Sequence, residues 1–187
     1  FDSEIKLMKK FIALLRGINV SGQKQIKMSE LKSLFEEIGF QAVETYIQSG
    51  NVIFSSKEKS INKLEKKISV AITTKFGFDV QIIVISPDEI EYVLKTNSFI
   101  KKKKETDKLY VIFLAVAPSD ENIKKLKTID YSPEEYYIDG RYIYLFVPNG
   151  YGKAKLNNNF FENKLKVFGT TRNLKTIKAL LELIEMH

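Results

Sequence analysis

The stretch "QAVETYIQSGNVIFSS" (Gln41–Ser56) contains two alternating apolar runs joined by "SGN" at residues 49–51. Two such runs separated by a tight Ser-Gly-Asn connection predict antiparallel strands in a hairpin, which we place at Ala42–Gln48 and Val52–Ser55. The hairpin lies in the middle of the first half of the chain. The elements on either side of it therefore decide the fold.

A strand and a helix precede the hairpin, and a helix and a strand follow it. We predict these elements at Phe11–Val20, Met28–Phe40, Ser60–Phe76 and Val80–Ile85. Apolar residues at helical spacing indicate the two helices, with Ser29 as the expected N-cap of the first. Strand, helix, strand, strand, helix, strand is the ferredoxin-like order, in which one face of the sheet carries both helices.

The second half repeats this order. The predicted elements are a strand at Leu109–Val116, a helix at Pro118–Thr128, a hairpin of Glu135–Ile138 and Tyr142–Val147, and helices at Leu156–Val167 and Arg172–Met186. Asp139-Gly140 indicates the hairpin turn, and Thr170 or Thr171 is the expected N-cap of the last helix. This half shows no clear closing strand.

The fold class predicted is α+β, with two ferredoxin-like βαββαβ-type lobes, antiparallel sheets and helices packed on one face. Residues 1–7 are interpreted as a tag or an upstream extension, because "MKKFIALLRGINV" resembles a natural start. Residues 8–86 form the first lobe, 87–108 a connecting helix and basic linker, and 109–187 the second lobe with two final helices. "SPDE" at residues 86–89 predicts a capped helix start.

Composition excludes several kinds of chemistry. The 187 residues contain no Cys and one His, which is the last residue, His187. Disulfides, thiolate catalysis, histidine general bases and His- or Cys-ligated metals are therefore not expected, and we predict neither a metal nor a cofactor. No apolar run is long enough to cross a membrane, so we expect no membrane partner and a cytoplasmic protein. The oligomeric state does not follow from the sequence.

The net charge is +7, and its distribution is uneven. Between Gly150 and Lys178 there are seven basic residues and one acidic residue, Glu162. A basic region of this kind favours an anionic partner such as a phosphorylated small molecule or nucleic acid. A solvated lysine-rich surface explains the same charges equally well.

Two polar clusters are expected to meet in the first lobe. Arg16, Gly17 and Asn19 lie at the end of the first strand, and Ser49, Gly50 and Asn51 lie at the start of the third. Antiparallel pairing of these strands places the end of one beside the start of the other. Asn and Ser in turns also bond their own backbone, which is the structural alternative for Ser49 and Asn51. Arg16 interrupts an apolar strand, and a half-buried Arg needs a carboxylate or an anionic ligand.

A third cluster begins the last predicted helix, with Thr171, Arg172, Asn173 and Thr176 near its N-terminus. Free N–H groups there attract anions, although Arg172 could equally pair with an acidic side chain elsewhere. The loop "NGYGKAKL" (Asn149–Leu156) contributes Lys153 and Lys155 as further candidates. It lacks the full phosphate-loop pattern, so a P-loop nucleoside triphosphatase is excluded.

Four motifs carry a family resemblance. "ALLRGINV", "KMSELKSLFEEIGF", "YIQSGNVIF" and "TTRNLKTIKAL" make the chain resemble domain of unknown function 1697, from about Met8 to the C-terminus. The resemblance implies two α+β lobes and no particular reaction. Its recurring polar positions correspond to Arg16, Gly17, Asn19, Lys27, Ser49, Gly50, Asn51, Arg172, Asn173 and Thr176. Leu174 departs from the family, which usually has Trp there.

Three functions stay open at this point. The first is binding of a phosphate-bearing ligand or nucleic acid through a polar, basic site between the lobes, where Arg16 and Arg172 would converge. The second is an enzyme for a small anionic substrate, in which Arg16, Lys27 and Arg172 stabilise charge. It would need Lys27 or a carboxylate as base, because Ser49 has no His to activate it. The third is a protein–protein adaptor or homodimer with an exposed apolar patch.

Overall fold

The computed structural model of the protein describes residues 7–186. The chain forms two compact units, the first covering the described residues up to Glu89 together with Met186, and the second spanning Ile90–Glu185. Except for Leu7, the segment interpreted as a tag or extension lies outside the described residues. No helix between residues 7 and 186 is both long enough and apolar enough to cross a membrane.

The first unit holds a four-stranded antiparallel sheet in the order β2-β3-β1-β4. Its strands are β1 (Lys9–Leu15), β2 (Gln41–Tyr46), β3 (Asn51–Ser56) and β4 (Ile82–Ile85), and its helices are α1 (Met28–Glu37) and α2 (Ile61–Phe76). The first and third strands are neighbours at the centre, as the ferredoxin-like arrangement requires. The predicted fold of this lobe is confirmed.

Strand β1 ends at Leu15, five residues before the predicted end. Gly17 and Asn19 have φ angles of 69° and 55°, which lie outside the extended region. The chain therefore leaves the sheet at Arg16. This residue follows the strand and does not interrupt it, which corrects the sequence interpretation.

The N-cap prediction for α1 was wrong. The N-cap of α1 is Lys27, which is extended and whose carbonyl oxygen accepts from Leu31 N at 3.0 Å, so Ser29 lies inside the first turn. The hydroxyl of Ser60 accepts from Lys63 N at the start of α2. Gly77 ends α2 in the left-handed conformation, with φ of 79°.

The second unit repeats the first sheet, in the order β6-β7-β5-β8 and fully antiparallel. Its strands are β5 (Leu109–Leu114), β6 (Glu135–Asp139), β7 (Tyr142–Phe146) and β8 (Gly169–Asn173). Helix α3 (Pro87–Thr96) leads into this unit, which contains α4 (Ser98–Lys101), α5 (Asp120–Leu126), α6 (Asn158–Leu165) and α7 (Leu174–Met186). Both lobes thus have the predicted βαββαβ order.

Strand β8 is the closing strand that the sequence did not reveal. It pairs with β5 from Leu114 opposite Gly169 to Tyr110 opposite Asn173. The last helix starts at Leu174 and not at Arg172. Asn173 provides its cap, because its side-chain oxygen accepts from Thr176 N at 2.8 Å, so the predicted caps Thr170 and Thr171 were wrong.

Part of the segment predicted as a helix and basic linker is fixed by hydrogen bonds and side-chain contacts of its own residues. Ser86 and Glu89 form the predicted capping box, with Ser86 N donating to Glu89 at 2.9 Å and Glu89 N to Ser86 at 3.3 Å. The lysine run that follows is mostly exposed. Lys104 differs, because its ammonium group lies 4.8 Å from the centre of the Phe146 ring and 3.7 Å from a Glu135 carboxylate oxygen.

Helices cover one face of each sheet, as predicted. In the first unit, odd-numbered residues of β1 such as Ala13 pack with α1 and α2. In the second, Ile112 and Leu145 pack with α5 and α6. The opposite faces are also buried, as Leu14 shows with no exposed surface. On that face of the second sheet, the hydroxyls of Tyr144 and Thr96 lie 2.9 Å apart.

Candidate functional site

The loop between β1 and α1 is attached to the turn between β2 and β3 by Asn19. Its side-chain nitrogen donates to the carbonyl oxygens of Ile26 and Gln48, at 3.0 and 2.8 Å. Its side-chain oxygen accepts from Ile26 N at 2.8 Å. The two polar clusters of the first lobe therefore meet, as the strand pairing predicted. Asn19 is the residue that joins them.

Asn51 organises the β2–β3 turn from inside the protein. The residue is fully buried at the start of β3, opposite Leu14 of β1. Its side-chain nitrogen donates to the carbonyl oxygen of Tyr46 at 2.9 Å and lies 3.1 Å from the hydroxyl oxygen of Ser49. These contacts support the structural alternative for Ser49 and Asn51.

Gly50 allows the turn to lie against the end of β1. Its φ is 87°, and an added Cβ would lie 2.8 Å from Leu15 Cβ and 2.8 Å from Ile18 Cδ1. The Gly50 carbonyl oxygen accepts from Leu15 N at 2.9 Å. A side chain would therefore clash at this position and also require a strained backbone.

The β1–α1 loop has an unusual backbone. Five of its residues have positive φ, and three of these are not glycine: Asn19, Ser21 and Lys24, at 55°, 52° and 46°. Buried Ile18 and Ile26 anchor the loop in the core. Strained residues of this kind persist only where surrounding contacts hold them, and they concentrate at functional sites.

The loop is also basic. Arg16, Lys24 and Lys27 lie on it, and there is no acidic residue from position 11 to position 29. Arg16 is half-buried, and its backbone N donates to Gln81 O at 3.0 Å. Lys24 Nζ donates to the carbonyl oxygen of Asp79 at 2.7 Å, which fixes that ammonium group against the segment between α2 and β4. The Lys27 side chain is exposed and makes no capping bond to α1.

Arg172 lies in strand β8, so it does not contribute to a helix N-terminus. The side chain is 6% exposed, and its guanidinium donates to the Thr170 hydroxyl at 2.7 Å and to the Thr171 carbonyl oxygen at 2.9 Å. Burial lowers the pKa of Arg172 to about 10, because desolvation disfavours the cation. At neutral pH the guanidinium keeps its charge.

Thr171 points to the helix-covered face of the second sheet. Its hydroxyl donates to Asn158 Oδ1 at 2.9 Å and accepts from the Tyr151 hydroxyl at 3.2 Å. Asn158 also donates to Glu162 at 2.8 Å and to the Gly169 carbonyl oxygen at 3.0 Å. Thr171 therefore belongs to a network that fixes α6 on the sheet. Sequence reasoning missed Asn158, although the run "NNN" at residues 157–159 indicates a helix start.

The remaining second-lobe candidates have separate surroundings. Asn173 caps α7, and Thr176 is 4% exposed in its first turn. Lys153 and Lys155 extend exposed side chains from their loop. The Glu134 carboxylate accepts from Lys155 N at 3.1 Å and Leu156 N at 2.8 Å, so these two loop amides are already bound by an anion.

The predicted site residues thus form two groups, one in each unit. The first unit brings together Arg16, Asn19, Lys27, Ser49, Gly50 and Asn51, and the second holds Lys153, Lys155, Thr171, Arg172, Asn173 and Thr176. Most of the amide and hydroxyl side chains in these groups form hydrogen bonds that stabilise the fold. Arg16 and Lys27 lie on the β1–α1 loop, which has three non-glycine residues with positive φ. Within residues 7–186 no group of three or more His, Cys, Asp or Glu side chains could hold a metal ion.

Comparisons with known proteins bear on family and fold. The family model described as "Protein of unknown function (DUF1697)" matches residues 8–144, and the chain belongs to this family. The motif "TTRNLKTIKAL" lies beyond the matched part. Among curated proteins, none matches this chain.

A solved structure has a similar fold. It is the conserved bacterial protein SP0830 from Streptococcus pneumoniae, with a TM-score of 0.73 and 23% identity. The similarity covers 94% of this chain and 98% of that one. At this identity the likeness establishes the fold, and it agrees with the two βαββαβ lobes described above.

Proposed function

We propose that this member of the DUF1697 family binds a phosphate-bearing anion at the β1–α1 loop, with Arg16 and Lys27 as the charged contacts. The observation that carries the proposal is a basic loop without acidic residues whose backbone is held in left-handed conformations at three non-glycine positions. Rigid loops on a stable scaffold are common positions for binding residues.

The chemistry of the loop fits a phosphate. Arg16 offers a planar, permanently charged group suited to two phosphate oxygens, and Lys27 adds a flexible point charge. Helix α1 begins at Met28 and its N-cap Lys27 makes no side-chain capping bond, so the positive end of the helix dipole adds to the same surface. That Arg172 contacts the same anion stays a prediction.

Ligand-induced stabilisation tests the proposal. The probes are pyrophosphate, a nucleoside monophosphate, a sugar phosphate and a short single-stranded RNA, each added to the full chain in a thermal unfolding experiment. A probe that binds the native state raises the midpoint with its concentration. Arg16→Ala and Lys27→Ala should each weaken the binding of the active probe about tenfold, which corresponds to about 1.4 kcal/mol.

Lys32→Ala is the matched control, because Lys32 is an exposed lysine of α1 beyond the loop and the charge change is the same. Salt separates the probes, since RNA affinity falls much more steeply with ionic strength than that of a small anion. The proposal is wrong if no probe stabilises the chain, or if both loop variants bind like Lys32→Ala. Loss of binding in Lys153→Ala and Lys155→Ala alone would place the site in the second unit.

The enzyme hypothesis stays a prediction. It still depends on Lys27 or a carboxylate acting as base. The Ser49 hydroxyl is already engaged by Asn51, which favours a role in the turn.

A further inference from the structure

A groove of about 540 Å³ runs between helices α1 and α2 of the first unit. We call it the α1–α2 groove. Apolar residues of both helices line it, namely Leu34, Ile38, Val70 and Ala71, and charged side chains form its rim. None of them belongs to the proposed anion site. The groove is therefore a separate surface.

Helical spacing explains why these residues share one surface. Residues four apart lie above one another on a helix. On α2 this gives two adjacent rows, 66-70-74 and 67-71-75, and on α1 it places Leu34 beside Ile38. The rows cover about 14 Å of α2, at about 1.5 Å per residue. That length corresponds to between two and three helical turns.

The floor of the groove is apolar and includes exposed surface. Leu34 and Ile38 contribute from α1, and Ala71 contributes from α2. Val70 is 56% exposed, although it lies at the middle of its row. Val70 therefore offers accessible apolar surface in the groove, whereas Leu34 is 5% exposed.

The rim is basic. Lys66 and Lys67 lie at one end and Lys75 at the other, against one acidic residue, Glu37. Glu37 is itself close to Lys75, with 3.6 Å between Nζ and the carboxylate oxygen. This pair balances the charge at the Lys75 end, so the positive excess lies at the end of the apolar floor that carries Lys66 and Lys67. Complementarity favours an occupant with acidic groups at that end and apolar groups along the floor.

We propose that the α1–α2 groove docks an acidic amphipathic helix of a partner protein. Apolar residues at i, i+3, i+4 and i+7 of such a helix span the length of the floor, and Glu or Asp side chains at one end of the helix reach Lys66 and Lys67. This is a binding role in addition to the anion site and does not depend on it.

A designed peptide tests the proposal. The probe is a labelled helical peptide of about 18 residues with Leu at the four anchor positions and Glu at the end that faces Lys66 and Lys67. Its dissociation constant is measured by fluorescence anisotropy with the full chain. We expect Lys66→Glu and Val70→Asp each to weaken binding at least about tenfold, because the first reverses a rim charge and the second makes the floor polar.

Lys32→Glu is the matched control, since it reverses one exposed lysine charge of α1 on the face away from Leu34 and Ile38. A thermal melt of each variant confirms folding, and Val70→Ala provides a milder change at the same position. The proposal is overturned if a scrambled peptide, or one with Lys in place of these Glu residues, binds as tightly. It is also overturned if Lys66→Glu equals Lys32→Glu, or if sedimentation shows that Val70 mediates self-association instead.

Discussion

The side-chain nitrogen of Asn19 lies 2.8 Å from the carbonyl oxygen of Gln48, a residue 29 positions further along the chain. This bond connects the β1–α1 loop with the β2–β3 turn. Together with two bonds to Ile26, it makes one amide side chain the main polar support of the loop. The loop that carries Arg16 and Lys27 thus depends on a residue that itself bears no charge.

Replacing Asn19 should therefore destabilise the protein. Asn19→Ala removes three hydrogen bonds and puts alanine at a φ of 55°, so we expect a loss of about 2–3 kcal/mol in the free energy of unfolding. Urea unfolding measures it. Ser21→Ala is the control, because Ser21 has a similar φ of 52° but an exposed side chain. Equal stability of the two variants would contradict the supporting role.

Gly50→Ala should be among the more damaging single changes in the first unit. Its Cβ would lie 2.8 Å from both Leu15 and Ile18, at a φ of 87°. We expect a loss of about 2–4 kcal/mol from overpacking and backbone strain together. Gly17→Ala separates the two effects, because Gly17 has a φ of 69° but open space around a Cβ. That variant should lose only about 1 kcal/mol. Similar losses of unfolding free energy in both variants would show that the clash of the added Cβ is not the cause.

The Glu134 carboxylate should stabilise the loop that follows β7. Glu134→Ala leaves the amides of Lys155 and Leu156 without their carboxylate partner. We expect a loss of about 1–3 kcal/mol and faster hydrogen exchange at these two amides. The neighbouring Glu135→Ala is the control. Its exposed pair with Lys104 should contribute less than about 1 kcal/mol. Unchanged exchange in Glu134→Ala would contradict the proposed role.

Tyr144 should make stability depend on alkaline pH. Burial raises the pKa of Tyr144 above its ordinary value, because the phenolate is disfavoured inside the protein. Above about pH 10 the unfolded chain loses this proton while the folded protein retains it, so stability falls as pH rises. Below about pH 10 the contribution of the protonated Tyr144 to stability is fully present.

Tyr144→Phe removes the ionisable group together with the contact to Thr96. We expect the variant to be about 1 kcal/mol less stable at neutral pH but to lose less stability between about pH 9 and 11. Urea unfolding across this range measures both effects. Parallel pH profiles of the two proteins would exclude Tyr144 as a source of the dependence.

The sequence by itself determined the order of elements in the first lobe, both hairpins and the capping box at Ser86 and Glu89. These features depend on contacts within a few residues, so hydrophobic periodicity, turn residues and capping pairs in the sequence predict them. The meeting of Asn19 with the β2–β3 turn also followed, because antiparallel pairing dictates which strand ends are neighbours. That the lysines at 66, 67 and 75 surround one groove needed the packing of α1 on α2.

Only the tertiary structure decided that Gly169–Asn173 is a strand. The segment "GTTRN" has no apolar alternation, and it runs directly into the helical pattern of α7. Its extended form comes from hydrogen bonds to β5, a strand more than 50 positions earlier in the chain. Pairing at that distance overrides local preference and places Arg172 in a buried strand position, where the local pattern predicts a helix N-terminus.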